Sequence, residues 1–309
     1  MKSILETPRF HDEQAAYDWV EARVWPNGRV CPHCGVVDHS GKLAGKSTRI
    51  GTYKCYECRK PFTVKIGTIF ESSHIKLHVW LQAIFLMVSS KKGISANQLH
   101  RTLGVTLKTA WFMGHRIREA LRDSNPAPLG GSGKVVEADE TFTGKPASVF
   151  KTGKGWVTAR AFHTKQKVVT LVERGGRARS IKVDTLNAAT VRKVLSENVK
   201  KESRLHTDEA SYYIGPGKAF ASHEHVTHAI DEYARGDVTT NTVEGFFGIF
   251  KRGMRGVYQH CREQHLQRYL YEFDFRYNNR TALGVDDATR AETAILGVIG
   301  KRLTYRTTH

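Results

Sequence analysis

The sequence lacks any long apolar run, and this shortage excludes a membrane-spanning protein. Its most apolar stretch, VWLQAIFLMV, has ten residues, whereas a helix needs about 20 to cross a bilayer. The opening residues, MKSILETPRFHDEQAAYDWV, contain acids where a signal peptide has an apolar core. Neither a basic amphipathic anchor nor a lipidation motif is found. We therefore expect a soluble, cytoplasmic protein without a membrane partner.

Acidic residues are also scarce. The 30 aspartates and glutamates stand against 48 lysines and arginines, which gives a formal charge of +18 and a sequence pI near 9.8. An excess of this size predicts a polyanionic partner, and nucleic acid comes first. From residue 246 to residue 277 the basic residues alternate with aromatic ones, an arrangement that can track phosphates and stack on bases, although most aromatics at helical spacing belong to a core.

Cysteine is scarce too, and the odd count of five argues against a disulfide framework. Four cysteines form two CxxC pairs, Cys31 with Cys34 in CPHCG and Cys55 with Cys58 in YKCYECRK, and 20 residues lie between the pairs. A redox motif has a single pair. Two pairs at this spacing predict a zinc ribbon in which four thiolates bind a structural Zn²⁺.

Two histidines near the cysteine pairs and the fifth cysteine are not expected to bind the zinc. His33 and His39 lie close to the cysteine pairs, but four sulfurs already complete a tetrahedral site. Cys261 stands alone and is expected to be an inert thiol.

The segment from residue 76 to residue 124 has helical periodicity. HVWLQAIFLMVSSKKG predicts one helix that ends at Gly93, and ISANQLHRTLGVTLKTAWFMGHRIREALRD predicts a helix-turn-helix around Gly104. A helical bundle between two domains is the alternative, and the net charge favours DNA binding. The residues expected to face DNA on the second helix are Thr106, Lys108, Thr109 and His115.

Beyond the Pro/Gly/Ser-rich segment NPAPLGGSGK the pattern becomes mixed α/β. Strand-like pieces KVVEADETF, GWVTARAFH and QKVVTLVERG, with a short SIKV, precede a helix in NAATVRKVLSENVK. The strand SRLHTDEA, a helix near SYYIGPGKAF, the strand HEHVTHAI and a final helical region follow. This is the order expected of an RNase H-like domain.

The fold class is thus multidomain: a zinc ribbon, a helix-turn-helix region and a mixed α/β RNase H-like catalytic domain. The predicted boundaries are 1–75 for an N-terminal helix and the ribbon, 76–124 for the helical region, 125–133 for the linker, 134–285 for the catalytic domain and 286–309 for a C-terminal tail.

Three acids occupy positions from which they can converge. Asp139 lies within a strand, where Asp is depleted, Asp208 ends another strand, and Glu244 lies in the first turn of a helix. Such carboxylates suit Mg²⁺ or Mn²⁺, and two such ions can catalyse phosphoryl transfer. By strand alternation Glu137 shares a face with Asp139 and can support it, while Glu140 points away.

The stretch NTVEGFFGIFKRGMRG has two interpretations. Asn241 and Glu244 can form a capping pair that only begins a helix, or Glu244 can deliver the third metal ligand. Lys251 lies seven residues after Glu244, on the same helix face, where a cation can hold a phosphate. Arg252 and Arg255 extend this basic face toward DNA.

The whole layout resembles the insertion-sequence DDE transposases with an N-terminal zinc ribbon, the group with an ISXO-type transposase domain. The resemblance covers CPHCG, GTIFESSHIKLHVWLQAIFL, VVEADETF, LHTDEA, NTVEGFFGIFKRGMRGVYQH and HLQRYLYEFDFRYNNR, with Lys76 where Pro is expected. It implies the ligands Asp139 and Asp208, a third ligand that is Asn241 or Glu244, and the basic companion Lys251. We favour Glu244, because a full negative charge binds Mg²⁺ better.

The resemblance also implies an activity. It implies binding to the terminal inverted repeats of the element, metal-dependent phosphodiester hydrolysis and strand transfer into target DNA, by a homodimer or higher oligomer associated with the nucleoid. An RNase H-like nuclease that cuts without joining is one alternative. A catalytically inactive zinc-ribbon DNA-binding regulator is another.

Overall fold

The computed structural model describes residues 3–144, 150–152, 155–157 and 165–304, with the backbone alone for 150–152 and 155–157. It comprises two compact units, Met1–Arg122 together with Gly284–His309, and Asp123–Leu283. In the part of the chain that is described, no helix has the length and apolarity required to cross a bilayer.

The first unit contains the zinc ribbon. After helix α1 (Glu13–Val24), three short antiparallel strands follow: β1 (Ser40–Lys42), β2 (Tyr53–Cys55) and β3 (Pro61–Phe62). Its small core consists of Cys31, Tyr53, Cys55 and Phe62, with Trp25 packed against it. So few apolar residues cannot stabilise a fold of this kind, which is why a metal is expected to hold it together.

Helices form the rest of the first unit: α2 (Leu77–Ser89), α3 (Ala96–Leu103) and α4 (Leu107–Ala120). Gly104 adopts a left-handed φ of 65° in the turn between α3 and α4, which matches the predicted helix, turn and helix. The carboxylate of Glu13 caps α2 by accepting from the backbone N–H groups of Leu77 and His78 at 2.8 and 3.1 Å. Lys76, which stands where Pro was expected, is the N-cap residue directly before these two groups.

The second unit is built on a mixed sheet. Its strands are β4 (Val135–Thr143), β7 (Gln166–Glu173), β8 (Ala178–Val183), β9 (Arg204–Thr207) and β10 (Ser222–His225), in the order β10-β9-β4-β7-β8. The β4–β7 and β7–β8 pairs are antiparallel, whereas β4–β9 and β9–β10 are parallel. The short strands β5 (Phe150–Thr152), β6 (Gly155–Val157), β11 (Ala234–Arg235) and β12 (Val238–Thr239) form two separate hairpins.

Helices cover both faces of this sheet. One face packs against α5 (Ala188–Asn198) and α6 (Ser211–Gly217), through Val136, Ala138, Val169, Leu171, Val191, Leu195 and Tyr213. The other packs against α7 (Asn241–Gly253) and α8 (Leu266–Asn278), through Val168, Val172, Phe246, Phe250, Leu270 and Phe273. The mixed α/β arrangement agrees with the sequence pattern.

Side chains of α8 cover the outer edge of β8. Asp274 accepts from the backbone N–H of Ser180 at 2.8 Å and from its hydroxyl at 2.7 Å. Asn278 makes both hydrogen bonds to the backbone of Ala178, and Gln267 accepts from Lys182. These side chains replace a neighbouring strand, which satisfies the edge without a further pairing partner.

Two segments differ from the sequence-based expectation. In GWVTARAFH, Gly155–Val157 pairs with β5 instead of joining the five-stranded sheet, and 158–163 lie outside the described residues. The segment 286–309, expected as a tail, contains the helix α9 (Asp287–Leu296), which packs in the first unit with Arg290 buried. Its apolar positions are too few and too dispersed for sequence periodicity alone to indicate this packing.

Candidate active site

The four cysteine thiols of the ribbon converge. Their sulfur atoms all lie within 4.8 Å of one another, with 3.7 Å from Cys31 to Cys58 and 3.6 Å from Cys34 to Cys55. A tetrahedral zinc with Zn–S bonds of about 2.3 Å places its sulfurs about 3.8 Å apart, whereas a disulfide needs about 2 Å. The arrangement therefore fits a structural Zn²⁺.

The parallel register of β4 and β9 brings two of the predicted acids together. The two strands pair as far as Glu137 and His206. Two residues further along each strand, the same register places Asp139 beside Asp208, just beyond the end of β9. The carboxylate oxygens of Asp139, Glu140 and Asp208 lie within 4.8 Å of one another.

Glu140 joins this cluster, contrary to the expectation that it points away. Its side chain leaves β4 on the α6 face, where the hydroxyls of Tyr212 and Tyr213 donate to its carboxylate, the latter at 3.1 Å. β9 no longer pairs with β4 at this point, so its backbone does not separate Glu140 from Asp139 and Asp208. Strand alternation predicted the face correctly but missed the reach of the side chain around an unpaired edge.

The cluster concentrates negative charge in a poorly solvated place. Burial, followed by the charges of Glu140, Asp208 and Glu244, raises the pKa of Asp139 to about 8. Burial also raises the pKa of Glu140 and of Asp208. Oxygen donors that repel one another in this way are what a hard divalent cation stabilises, so the residues present fit Mg²⁺ or Mn²⁺.

The third predicted acid lies close to this cluster. Glu244 is near enough for its charge to raise the pKa of Asp139, although it is outside the group of oxygens within 4.8 Å. Its Oε1 accepts from the Thr240 hydroxyl at 2.7 Å and lies 3.6 Å from Nε2 of His228. Its side chain is 44% exposed, which leaves room for a ligand.

Glu137, not Asn241, caps the helix that carries Glu244. The buried carboxylate of Glu137 accepts from the backbone N–H groups of Thr242 and Val243 at 2.8 and 3.0 Å, and from the Thr242 hydroxyl at 2.8 Å. Asn241 is exposed and already the first helical residue. The expected Asn241–Glu244 capping pair is therefore wrong, because Glu137, 105 residues before Thr242 in sequence, occupies the helix N-terminus.

Arg174 completes this anchor. Its Nε donates to Glu137 at 2.6 Å, and its two terminal nitrogens donate to the carbonyls of Asp237 and Thr239 at 2.7 and 3.0 Å. The pair fixes β12 and the start of α7 to the strand that carries Asp139. It thereby sets the distance between the first acid and Glu244.

The predicted basic residues Lys251, Arg252 and Arg255 lie on α7 and in the turn that follows it. Lys251 is exposed, with its ammonium 5.7 Å from the ring centroid of Phe247. Arg252 donates to the carbonyl of Gly248 at 2.9 Å and is exposed. Arg255 is exposed as well and follows α7 in a π-helical turn, Met254–Tyr258.

Of the four helix-turn-helix residues predicted to face DNA, three occupy an accessible helix start. The Thr106 hydroxyl accepts from the backbone of Thr109 at 3.2 Å and caps α4, and Lys108 is exposed. The prediction for His115 is wrong: it is 1% exposed, and its ring lies 4.2 Å from that of Trp111. Beyond its first two turns α4 is buried nearly all round, which a one-sided helical pattern did not reveal.

Sequence reasoning missed Glu140 as a cluster member, Arg174 as an anchor and His228 as a neighbour of Glu244. Glu140 follows directly after Asp139 in the sequence, and this adjacency was the available signal. Arg174 lies directly before Gly175 and Gly176 in a turn and belongs to no recognisable motif. These roles depend on contacts between residues distant in sequence, which no spacing rule encodes.

Known proteins share parts of this chain. An uncharacterized protein in the transposable element ISH50 of Halobacterium salinarum is 27% identical over 238 residues, which are 72% of this chain and 77% of that protein. A simian T-cell lymphotropic virus intasome gives a TM-score of 0.28 at 14% identity, over 57% of this chain and 63% of its own, less than two thirds of its length. A pre-cleavage Mos1 transpososome gives 0.29 at 11% identity, over 70% and 73%. These TM-scores are too low to indicate a shared fold.

Two family models match in chain order. The transposase zinc-ribbon domain matches residues 11–61, which contain the four cysteines. The ISXO2-like transposase domain matches residues 128–278, which contain the sheet, the acid cluster and helices α7 and α8. The ribbon thiols and the acid cluster each converge inside their matched domain, so the chain combines a transposase zinc-ribbon domain with an ISXO2-like transposase domain.

Proposed function

We propose that this chain is an RNase H-like polynucleotidyl transferase that cuts DNA at the terminal inverted repeats of its own element and joins the ends to target DNA. The observation that carries the proposal is the convergence of Asp139, Glu140 and Asp208 at the end of β9, inside the matched transposase domain. The strand order β10-β9-β4-β7-β8, with β7 antiparallel to β4, supports the RNase H-like assignment.

Asp139 and Asp208 would hold the divalent ions with Glu244, and Glu140 is a fourth donor within reach. Asn241, one turn before Glu244, is the alternative third ligand. When bound, two such ions supply Lewis-acid activation of water or a 3′-OH and stabilise the leaving oxygen.

The chain's own residues arrange the rest. The tyrosine hydroxyls of α6 fix the Glu140 carboxylate, Glu137 and Arg174 hold α7 in register, and Lys251 offers a cation to a DNA phosphate. No serine or tyrosine nucleophile is required.

The first unit would recognise the repeats. The ribbon and the start of α4, with Thr106, Lys108 and Thr109, provide an accessible polar and basic surface, and the formal charge of +18 favours a polyanion. Two DNA ends must be processed together, so we propose a homodimer or larger assembly on DNA, acting on the nucleoid in the cytoplasm.

The test is a cleavage and joining assay with purified protein, Mg²⁺ or Mn²⁺, and labelled DNA that carries the flanking repeats. Wild type should nick and join, Asp139→Asn and Glu244→Gln should be inactive, and Asn241→Ala should be only weakened. The exposed Glu197→Gln on α5 is the matched control.

Three other outcomes have distinct meanings. Loss of activity in Asn241→Ala with survival of Glu244→Gln would move the third ligand by one turn. Cutting without joining would indicate a nuclease. Binding without any cutting, unchanged by Asp139→Asn, would indicate an inactive regulator.

A further inference from the structure

A cavity of about 300 Å³ opens beyond the acid cluster in the second unit. Its wall is formed by the end of β4, the start of β7 and the π-helical turn after α7. π-Helical turns widen a helix locally and are frequent at functional sites. The cavity is separate from the three clustered acids, none of which lines it.

The charge of the cavity points to an anionic ligand. Lys165, Lys251 and Arg255 all line it, and none of the described lining residues is acidic. Lys251 and Arg255 are exposed, so their charges face solvent or a ligand. Three like charges around one space repel one another and are stabilised by a bound anion.

The remaining wall is not purely polar. Phe142 and Met254 also line the cavity. A free phosphate would leave this apolar surface unused, whereas a nucleotide presents an anionic phosphate and a flat base that packs on apolar and aromatic groups.

The position of the cavity relative to the acids can be estimated along two elements. Phe142 lies three residues after Asp139 on β4, which is about 10 Å along a strand. Lys251 lies seven residues after Glu244 on α7, also about 10 Å along a helix. One strand of B-form DNA advances about 3.4 Å per nucleotide, so the cavity is about three nucleotides from the acids.

We propose that this cavity binds one nucleotide of the transposon-end strand, about three positions from the scissile phosphate. Lys165, Lys251 and Arg255 hold its phosphate, while Phe142 and Met254 contact its base. This inference rests on the proposed function and extends it, because it assigns a site that fixes where along the strand the cut falls.

The test couples single phosphates to single side chains. Repeat DNA carrying one neutral methylphosphonate at each successive position is titrated against the full-length protein without added divalent metal, so that binding is measured apart from cutting. For wild type, a methylphosphonate at one position two to four nucleotides from the cut should weaken binding about ten-fold. Arg255→Ala and Lys165→Ala should bind unmodified DNA more weakly and lose this sensitivity at the same position. Lys193→Ala, which removes an exposed lysine of α5 outside the cavity, should keep the methylphosphonate sensitivity.

Cys261 provides a second measurement, because this residue also lines the cavity. Repeat DNA should protect this thiol from alkylation, measured by mass spectrometry, and prior alkylation should weaken DNA binding.

Two results would overturn this assignment while leaving the proposed function intact. In the first, wild type cuts the repeats, but no methylphosphonate position shows an effect that depends on Arg255 or Lys165. In the second, Cys261 is alkylated equally with and without DNA. Wild type that neither binds nor cuts the repeats would instead overturn the proposed function itself.

Discussion

At the scale of single residues, Glu137 determines where the third acid stands. It is fully buried, and its partners are the guanidinium of Arg174 and the N-terminus of α7. A buried acid with this set of partners cannot be removed without leaving a cation and two backbone donors unpaired.

We therefore expect Glu137→Gln to lower the free energy of unfolding by about 3 kcal/mol, measured by chemical denaturation. Because α7 would lose its register, kcat for cleavage should fall about 100-fold while KM for DNA changes little. A merely structural role would lower the amount of folded protein without changing kcat per folded molecule. Glu197→Gln serves as the control.

Residue patterns predicted some of the site and missed the rest for identifiable reasons. The cysteine spacing predicted the ribbon because zinc ligation requires that spacing. An acid within one strand, Asp139, and an acid at the end of another, Asp208, predicted the cluster. The prediction that His115 faces DNA was wrong because the exposure of a helical residue depends on what packs around α4. The cap at Glu137 was invisible because it joins residues far apart in sequence.

At the scale of elements, the ribbon has its own stabilising chemistry. Its core is too small to fold without the four thiolates held together, so metal binding and folding are linked. We expect about one zinc per chain, and Cys31→Ser should lose it and make 31–62 sensitive to proteolysis. Cys261→Ser should retain zinc, as measured by metal analysis. Full zinc content in Cys31→Ser would contradict the ribbon assignment.

The contact between α8 and β8 should make stability depend on pH. Burial raises the pKa of Asp274 to about 6. Because the folded-state pKa lies above the unfolded value of about 3.9, the folded state holds the proton more tightly. The stabilisation from protonated Asp274 is complete at pH values below the unfolded-state pKa and is lost as pH rises through the folded-state pKa of about 6.

Asp274→Asn keeps an acceptor for Ser180 but cannot ionise. The free energy of unfolding of this variant relative to wild type should therefore increase by about 1–3 kcal/mol between pH 5 and pH 7.5. Its melting temperature relative to wild type should increase accordingly. Differential scanning calorimetry at both pH values measures this, with Glu197→Gln as the exposed control. A difference that does not change with pH would show that Asp274 carries no such proton.

At the scale of the whole molecule, the formal charge of +18 should dominate DNA affinity. Each neutralised phosphate contributes about −0.9 to the slope of log affinity against log salt for duplex DNA. We expect a steep slope for repeat DNA in a fluorescence titration. Lys108→Ala should reduce its magnitude by about 1, and an unchanged slope would remove α4 from the DNA interface.

The element order of the catalytic unit was largely predictable because strands and helices alternate with clear apolar periods. What the sequence could not give is which strand joins the sheet. Gly155–Val157 has strand-like residues yet pairs locally, because pairing depends on partners and not on propensity.

The way α8 covers β8 has a consequence for how copies of this chain can associate. Backbone groups at Ala178, Ser180 and Lys182 are already hydrogen-bonded by side chains, and the strand at the other end of the sheet, β10, is only four residues long. Intermolecular strand addition, the common route to fibrous aggregates, thus finds little free backbone in the five-stranded sheet. Copies of this chain that are brought to a high local concentration can therefore meet through side-chain surfaces with little risk of cross-β polymerisation.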